Sequence, residues 1–326
     1  MFALGTFSDG ERDFPGIVLD ERRVIDVSAW FDSTRDILRR WDVGLDKLAM
    51  LADLDREDAI ELADLRVLPP VRPSQILQSG ANYHKHVVQL LVDQRIGHRP
   101  EQTDEEFRAE AVKMMDERAA SGEPYVFLGA DSALTGAYDD IVLPARGEHH
   151  DWELELTAVI GRGGRHIPEE RALEHVAGYT IANDLTTRDL VQRPDLGSIG
   201  ADWLRSKNVP TFLPTGPWIV PACFVPDPAD LQIVLKLNGE TMQKERTSDM
   251  IFDVRKLVSY TSALVELRAG DLILTGSPAG NGTHHNRFLR PGDVIDAEIT
   301  GLGRQRNRCI AEREAVARRS PSGQAS

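Results

Sequence analysis

The sequence predicts a β-rich α/β protein: a mixed, curled sheet forms the main body, and a smaller α/β module precedes it. Three observations carry this. After Asp151, strand-like segments dominate the chain. They do not alternate regularly with helices, which argues against Rossmann and TIM-barrel architectures and for a mixed sheet that curls. The first 70 residues form a self-contained run of short strands and helices, closed by prolines at 69, 70 and 73.

In chain order, "FPGIVLDERRVIDVSAW" reads as two strands around the charged turn Asp20-Glu21-Arg22-Arg23. "LDKLAMLADL" and "REDAIELADL" read as short helices. "QILQSGANY" is a buried strand ending in a turn, followed by a helical "HKHVVQLLVDQ". A polar insert covers roughly residues 92–123. Within it Thr103 and Glu106 have the spacing of a capping box, opening a helix with Phe107, Ala111, Met114 and Met115 on one face. Strands are expected at "EPYVFLGADSAL", "DDIVLP", "WELELTAVIG", "VAGYTIANDL", "TGPWIV", "LQIVLKLNGE", "DLILTG" and "VIDAEITGLG". Helices intervene at "PEERALEHV" and "DVRKLVSYTSAL". The main body thus runs over 71–310, and the polar end of 311–326 is expected to be disordered.

The 326 residues suffice for one large domain or a large and a small one. Net charge is −14 and the pI about 5.1, which argues against a nucleic-acid partner. No apolar run approaches the roughly 20 residues needed to cross a bilayer, and the N-terminus lacks a basic, apolar leader. A cytoplasmic protein without a membrane partner is expected. Cys223 and Cys309 sit in apolar surroundings without CxxC spacing, so they read as reduced core thiols rather than metal ligands.

Chemistry enters at "HDWELELTAVIG". Side chains alternate across a strand, so Glu153 and Glu155 point the same way, and Leu154 and Leu156 the other. Two carboxylates on one face of an apolar strand repel, and burial raises the cost. "TIANDLTTRDL" places a third acid, Asp184, at a turn after another apolar strand. Three carboxylates make the oxygen-rich, partly hydrated site that Mg2+, Mn2+ or Ca2+ prefers.

At this point the chain resembles the fumarylacetoacetate hydrolase superfamily. The matching segments are "GANYHKH", "DWELELTAVIG", "GYTIANDLTTRDL", "RSKNVPTFLPTGPWIV", "LNGETMQ", "GDLILTGSPAGNG" and "FLRPGDVIDAEITGLG", in one order over roughly residues 75–305. The resemblance implies a mixed β-roll catalytic domain, usually in a homodimer. It implies Glu153, Glu155 and Asp184 as ligands of Mg2+ or Mn2+, with Ca2+ able to stand in within a crystal. It also implies His86 as the base that activates water, and neutral imidazole suits that task. Lys207 would hold a substrate oxygen and stabilise an enolate. The turn "TGSPAGNG", with Gly276 and Ser277, would receive the substrate carboxylate in a backbone nest. Gln243 and Tyr83 join as substrate contacts. Arg188 and Asp189 would form an ion pair behind Asp184. His284 and His285 are placed on the rim.

The chain departs from the family pattern in places. Gln89 stands where relatives often carry the glutamate that pairs the histidine, Pro210 where many have aspartate, and Val191 where glutamine is frequent. An amide cannot support an imidazolium as a carboxylate does. The expected activity is metal-dependent cleavage of a carbon–carbon bond in a 2,4-dioxo acid, an acylpyruvate. The alternative is an isomerase, tautomerase, decarboxylase or hydratase that uses the same enolate chemistry on a 2-oxo acid. The insert is expected either to close over the site or to pack against a partner subunit.

Overall fold

The computed structural model describes residues 1–54 and 59–319. The first module contains β1 (Ala3–Ser8), β2 (Asp13–Leu19), β3 (Arg23–Asp26), α1 (Thr34–Arg39), α2 (Trp41–Asp53), β4 (Ile60–Glu61) and β5 (Arg66–Leu68). They form one sheet in the order β4-β3-β2-β1-β5. The charged turn between β2 and β3 exists, with Asp20 and Glu21 both at positive φ, as a tight hairpin requires. Leu4, Ile17 and Ile25 of the sheet pack with Ile37, Leu48 and Leu51 of the helices. The expected helix over "REDAIELADL" is corrected: residues 55–58 lie outside the described chain, and β4 with a single 3-10 turn occupies 60–64.

The main body follows with β6 (Ile76–Gly80), α3 (His84–Asp93), α4 (Asp104–Ser121), β7 (Tyr125–Gly129), β8 (Leu134–Gly136), β9 (Ile141–Leu143), β10 (His150–Asp151), β11 (Leu154–Ile160), β12 (Val176–Asn183) and β13 (Thr186–Thr187). Next come α5 (Trp203–Lys207), β14 (Leu213–Thr215), β15 (Val220–Pro221), β16 (Gln232–Leu237), β17 (Glu240–Arg246), α6 (Val254–Leu264), β18 (Leu272–Leu274), α7 (Gly282–His285), β19 (Val294–Ile299), β20 (Arg304–Ala311) and α8 (Glu312–Arg319).

The expected mixed sheet is present as two curled sheets. The larger runs β7-β6-β18-β11-β12-β14-β8, with β15 beside β12. Two of its pairings are parallel, β6 with β18 and β14 with β8, and the others antiparallel. The second runs β17-β16-β19-β20-β9. Every residue of β11 and β12 is buried, so the central hairpin is covered on both faces. Leu154, Leu156 and Ala158 enter the main core with Ile233, Leu235 and Ile273. The opposite face of β11 carries Glu155 into the interior.

The insert is a helix docked on a helix. Thr103 caps α4 in a complete capping box with Glu106. Phe107, Ala111 and Met115 are buried, whereas Met114 is exposed and does not belong to the packed face. Polar ties join α4 to α3: His84 with Asp116, and Arg108 donating to Gln89. The C-terminal expectation is corrected in part. Residues 312–319 form α8 behind β20, and 320–326 lie outside the described chain. Cys309 is buried as expected, but Cys223 is exposed; both thiols are free. Among the described residues no helix is long and apolar enough to cross a membrane.

Candidate metal centre

The ladder of the central hairpin is interrupted where the acidic side chains converge. Glu153 lies between β10 and β11, and its N–H donates to the side-chain oxygen of Asn183 at 2.9 Å. The carbonyl of Glu153 then accepts from Asp184 N–H at 2.9 Å. These two bonds fold the turn after β12 back onto the start of β11. Carboxylate oxygens of Glu153, Glu155 and Asp184 consequently lie within 4.8 Å of one another, and all three residues are buried.

Positive charge is arranged around them. Lys207 Nζ stands 2.6 Å from Glu153 Oε2 and 2.5 Å from Asp184 Oδ2. Arg188 reaches Glu153 Oε1 at 2.6 Å and Asp151 Oδ2 at 2.7 Å. The expected Arg188–Asp189 ion pair is therefore corrected. Asp189 instead accepts the backbone N–H groups of Glu148 and His149. Asp151 is the anchor of this arrangement: fully buried, it also accepts from the N–H groups of Gly282 and Thr283 at the head of α7.

The remaining contacts fix individual carboxylates. Gln78 Nε2 donates to Asp184 Oδ1 at 2.6 Å, and Gly276 N–H donates to Glu155 Oε2 at 2.6 Å. Gly276 sits at φ 89°, and a Cβ there would press on Asn82, so glycine is required by both conformation and space. Its N–H is directed at a carboxylate of the protein rather than at an open nest. Gln243 is fully buried: it accepts from Leu154 N–H and donates to Ser277 Oγ and Pro278 O. It thereby ties β17 to the glycine-rich turn. Tyr83 is also fully buried. His284 and His285 are exposed on α7, where His284 faces Asp93 at 3.6 Å and His285 meets the carbonyl of Met242.

His86 lies in the first turn of α3, half-buried. Burial holds its pKa below the ordinary histidine value, against the nearby carboxylate of Glu153, so the ring is neutral near pH 7. Gln89 does not face it. Its amide donates to Asp93 and accepts from Arg108, within the contact of α3 with α4.

The donor set fits a hard divalent cation. Among the described residues, the four buried carboxylates of Glu153, Glu155, Asp184 and Asp151 share two ion-paired cations, Lys207 and Arg188. Glu155 bears the imbalance: burial, then the charges of Asp184 and Glu153, push its carboxyl well above the usual range. Burial likewise raises Asp184, despite Lys207. Glu153 goes the other way, because Arg188 and Lys207 outweigh its burial. A cation bound by oxygen atoms alone would relieve what Lys207 leaves unbalanced.

The spacing of Glu153 and Glu155 and the turn at "TIAND" announce this trio in the sequence itself. Asp151, Gln78, Asn82 and Asn183 gave no such signal. Asn82 bonds Phe252 and Thr275 across 170 and 193 residues of sequence, a contact no local pattern announces.

Comparison with known proteins agrees with this geometry. Residues 75–310 match the family model described as fumarylacetoacetate (FAA) hydrolase, C-terminal. A mitochondrial oxaloacetate tautomerase of Bos taurus is 42% identical over 183 residues, 56% of this chain and 57% of the bovine protein. The match thus spans little more than half the length of that relative. The solved structure of fumarylacetoacetate hydrolase from psychrophilic Exiguobacterium antarcticum is 31% identical, with TM-score 0.75, covering 96% of this chain and 100% of that one. Maleylpyruvate hydrolase from Sphingobium sp. SYK-6, solved with manganese(II) and pyruvate, is 27% identical, with TM-score 0.71, covering 95% and 99%. The chain belongs to the fumarylacetoacetate hydrolase family, whose members act on oxo acids.

Proposed function

We propose that this family member is a divalent-metal-dependent hydrolase that breaks a carbon–carbon bond in a 2,4-dioxo acid. The observation that carries this is the buried trio Glu153, Glu155 and Asp184, with Lys207 beside it. These carboxylates would hold Mg2+ or Mn2+, which when bound would supply Lewis-acid polarisation of the substrate's oxo group. The solved relative that contains manganese and pyruvate supports the choice of ligand.

His86, neutral at pH 7, takes a proton from water. The water oxygen attacks the carbonyl at C4, and the bond between C3 and C4 breaks. Its electron pair remains on the pyruvyl fragment as an enolate. The ammonium of Lys207 stands beside the carboxylate trio, where it stabilises the developing enolate oxygen. The proton held by His86 returns to C3, so the products are a carboxylic acid and pyruvate.

A second reading rests on a specific observation. Gln89 is engaged with Asp93 and Arg108, so it gives His86 no carboxylate support. Keto–enol tautomerisation needs only a proton carried between carbon and oxygen, without attack by water. The bovine relative is named for such an activity on oxaloacetate. Decarboxylation and hydration pass through the same kind of enolate.

Product analysis separates these outcomes. An acylpyruvate panel with Mn2+ or Mg2+ should give two carbonyl fragments, none with EDTA, and His86→Ala should lower kcat by about 100-fold or more. A single isomeric product would select tautomerisation. No turnover by either route above the EDTA control would contradict both readings.

A further inference from the structure

We infer that the site takes substrates bearing a flat apolar group, an aryl or conjugated acyl unit, seated on a wall made by Phe127, Trp203 and Tyr125; this rests on the oxo-acid reading above. The wall follows from local structure. Tyr125 and Phe127 alternate on β7 and so share a face, and Trp203 lies four residues before Lys207 on α5. Phe127 and Trp203 stack with centroids 5.0 Å apart and planes inclined by 17°. Tyr125 follows at 5.8 Å from Phe127, and its hydroxyl accepts the indole N–H of Trp203 at 2.6 Å.

This wall stands against the reacting centre. Lys207 Nζ is 5.8 Å from the centroids of both Phe127 and Trp203, while the same atom touches Glu153 and Asp184. A substrate held by its oxo-acid end at the carboxylate trio therefore has its far end beside the rings. Holding the ammonium does not explain them. Lys207 is already paired with two carboxylates, and 5.8 Å lies near the outer limit of a useful cation–π contact. The rings also keep open surface: Phe127 and Trp203 are half-buried, and Tyr125 is 47% exposed.

The wall also discriminates by charge. Among the described residues Lys207 is the cation within range of the Phe127 and Trp203 rings, and it is committed to Glu153 and Asp184. A distal carboxylate would meet aromatic faces without a counter-charge. A second aromatic ring would extend the existing stack.

The test compares Kd values of phenylpyruvate, pyruvate and oxaloacetate for the Mn2+-loaded protein by calorimetry. Phenylpyruvate should bind at least about tenfold more tightly than pyruvate, the effect of roughly one stacked ring. Oxaloacetate should gain nothing over pyruvate. Phe127→Leu and, separately, Trp203→Leu should each bring the phenylpyruvate-to-pyruvate ratio close to one, with thermal unfolding confirming that each variant is folded. Binding of all three ligands with equal affinity, preference for oxaloacetate, or a ratio unmoved in both folded variants would overturn this inference and leave the oxo-acid reading standing. If none of the three binds, the oxo-acid reading falls and the aromatic wall falls with it.

Discussion

Arg188 links Asp151, which anchors α7, to Glu153, a member of the buried carboxylate trio. Replacing it with alanine would leave the buried carboxylate of Asp151 without its cation and Glu153 with Lys207 alone. A loss of about 3–5 kcal/mol in unfolding free energy is expected, measured by denaturant titration. A change below about 1 kcal/mol would show that water or Lys207 replaces it. His86 gives the pH signature. Burial lowers its pKa, so the base form persists below the ordinary histidine value of about 6.5. Activity should therefore fall on an acid limb with its midpoint below 6.5, and the limb should vanish in the residual activity of His86→Ala. The sign is the same for stability. The folded chain resists protonating this ring, so that contribution is present at higher pH and lost as pH falls below the unfolded value. An acid limb above 6.5 would contradict the assignment.

Helices α3 and α4 form one unit, because His84, Gln89 and Arg108 bond across them. Gln89 thus belongs to packing, although its position had suggested proton chemistry. Gln89→Ala should loosen α4, seen as faster amide hydrogen exchange over 104–121, and leave the midpoint of the acid limb unchanged. A shifted midpoint would return Gln89 to the catalytic machinery. Much of the fold was legible because its signals are local. The capping box of α4, the buried alternation around Glu153 and the glycine-rich turn each lie within a few consecutive residues. What stayed hidden depends on distant pairing. Arg188 could be seen beside Asp189 in sequence, yet its partners are 37 and 35 residues away. The aromatic wall joins β7 to α5 across 78 residues. Met114 reads as part of the packed face of α4, but it is exposed while Phe107, Ala111 and Met115 are buried.

The central hairpin of the molecule carries three converging carboxylates inside the larger sheet, so binding of a cation there would be linked to folding. Glu155 and Asp184 sit above their usual pKa range, Asp184 at about 6, chiefly through burial. The folded chain therefore holds these protons more tightly than the unfolded chain. Their contribution to stability is present at low pH and lost as pH rises through the folded values. A divalent cation would take the protons' place. Added Mn2+ should raise Tm more near pH 8 than near pH 5, and equal shifts would indicate binding elsewhere. The most direct test is calorimetric titration of Mn2+ into the chelator-treated protein near pH 8. One ion per chain is predicted, with affinity lowered at least about 100-fold in both Glu155→Gln and Asp184→Asn. Wild-type affinity retained in those two folded variants would contradict the account.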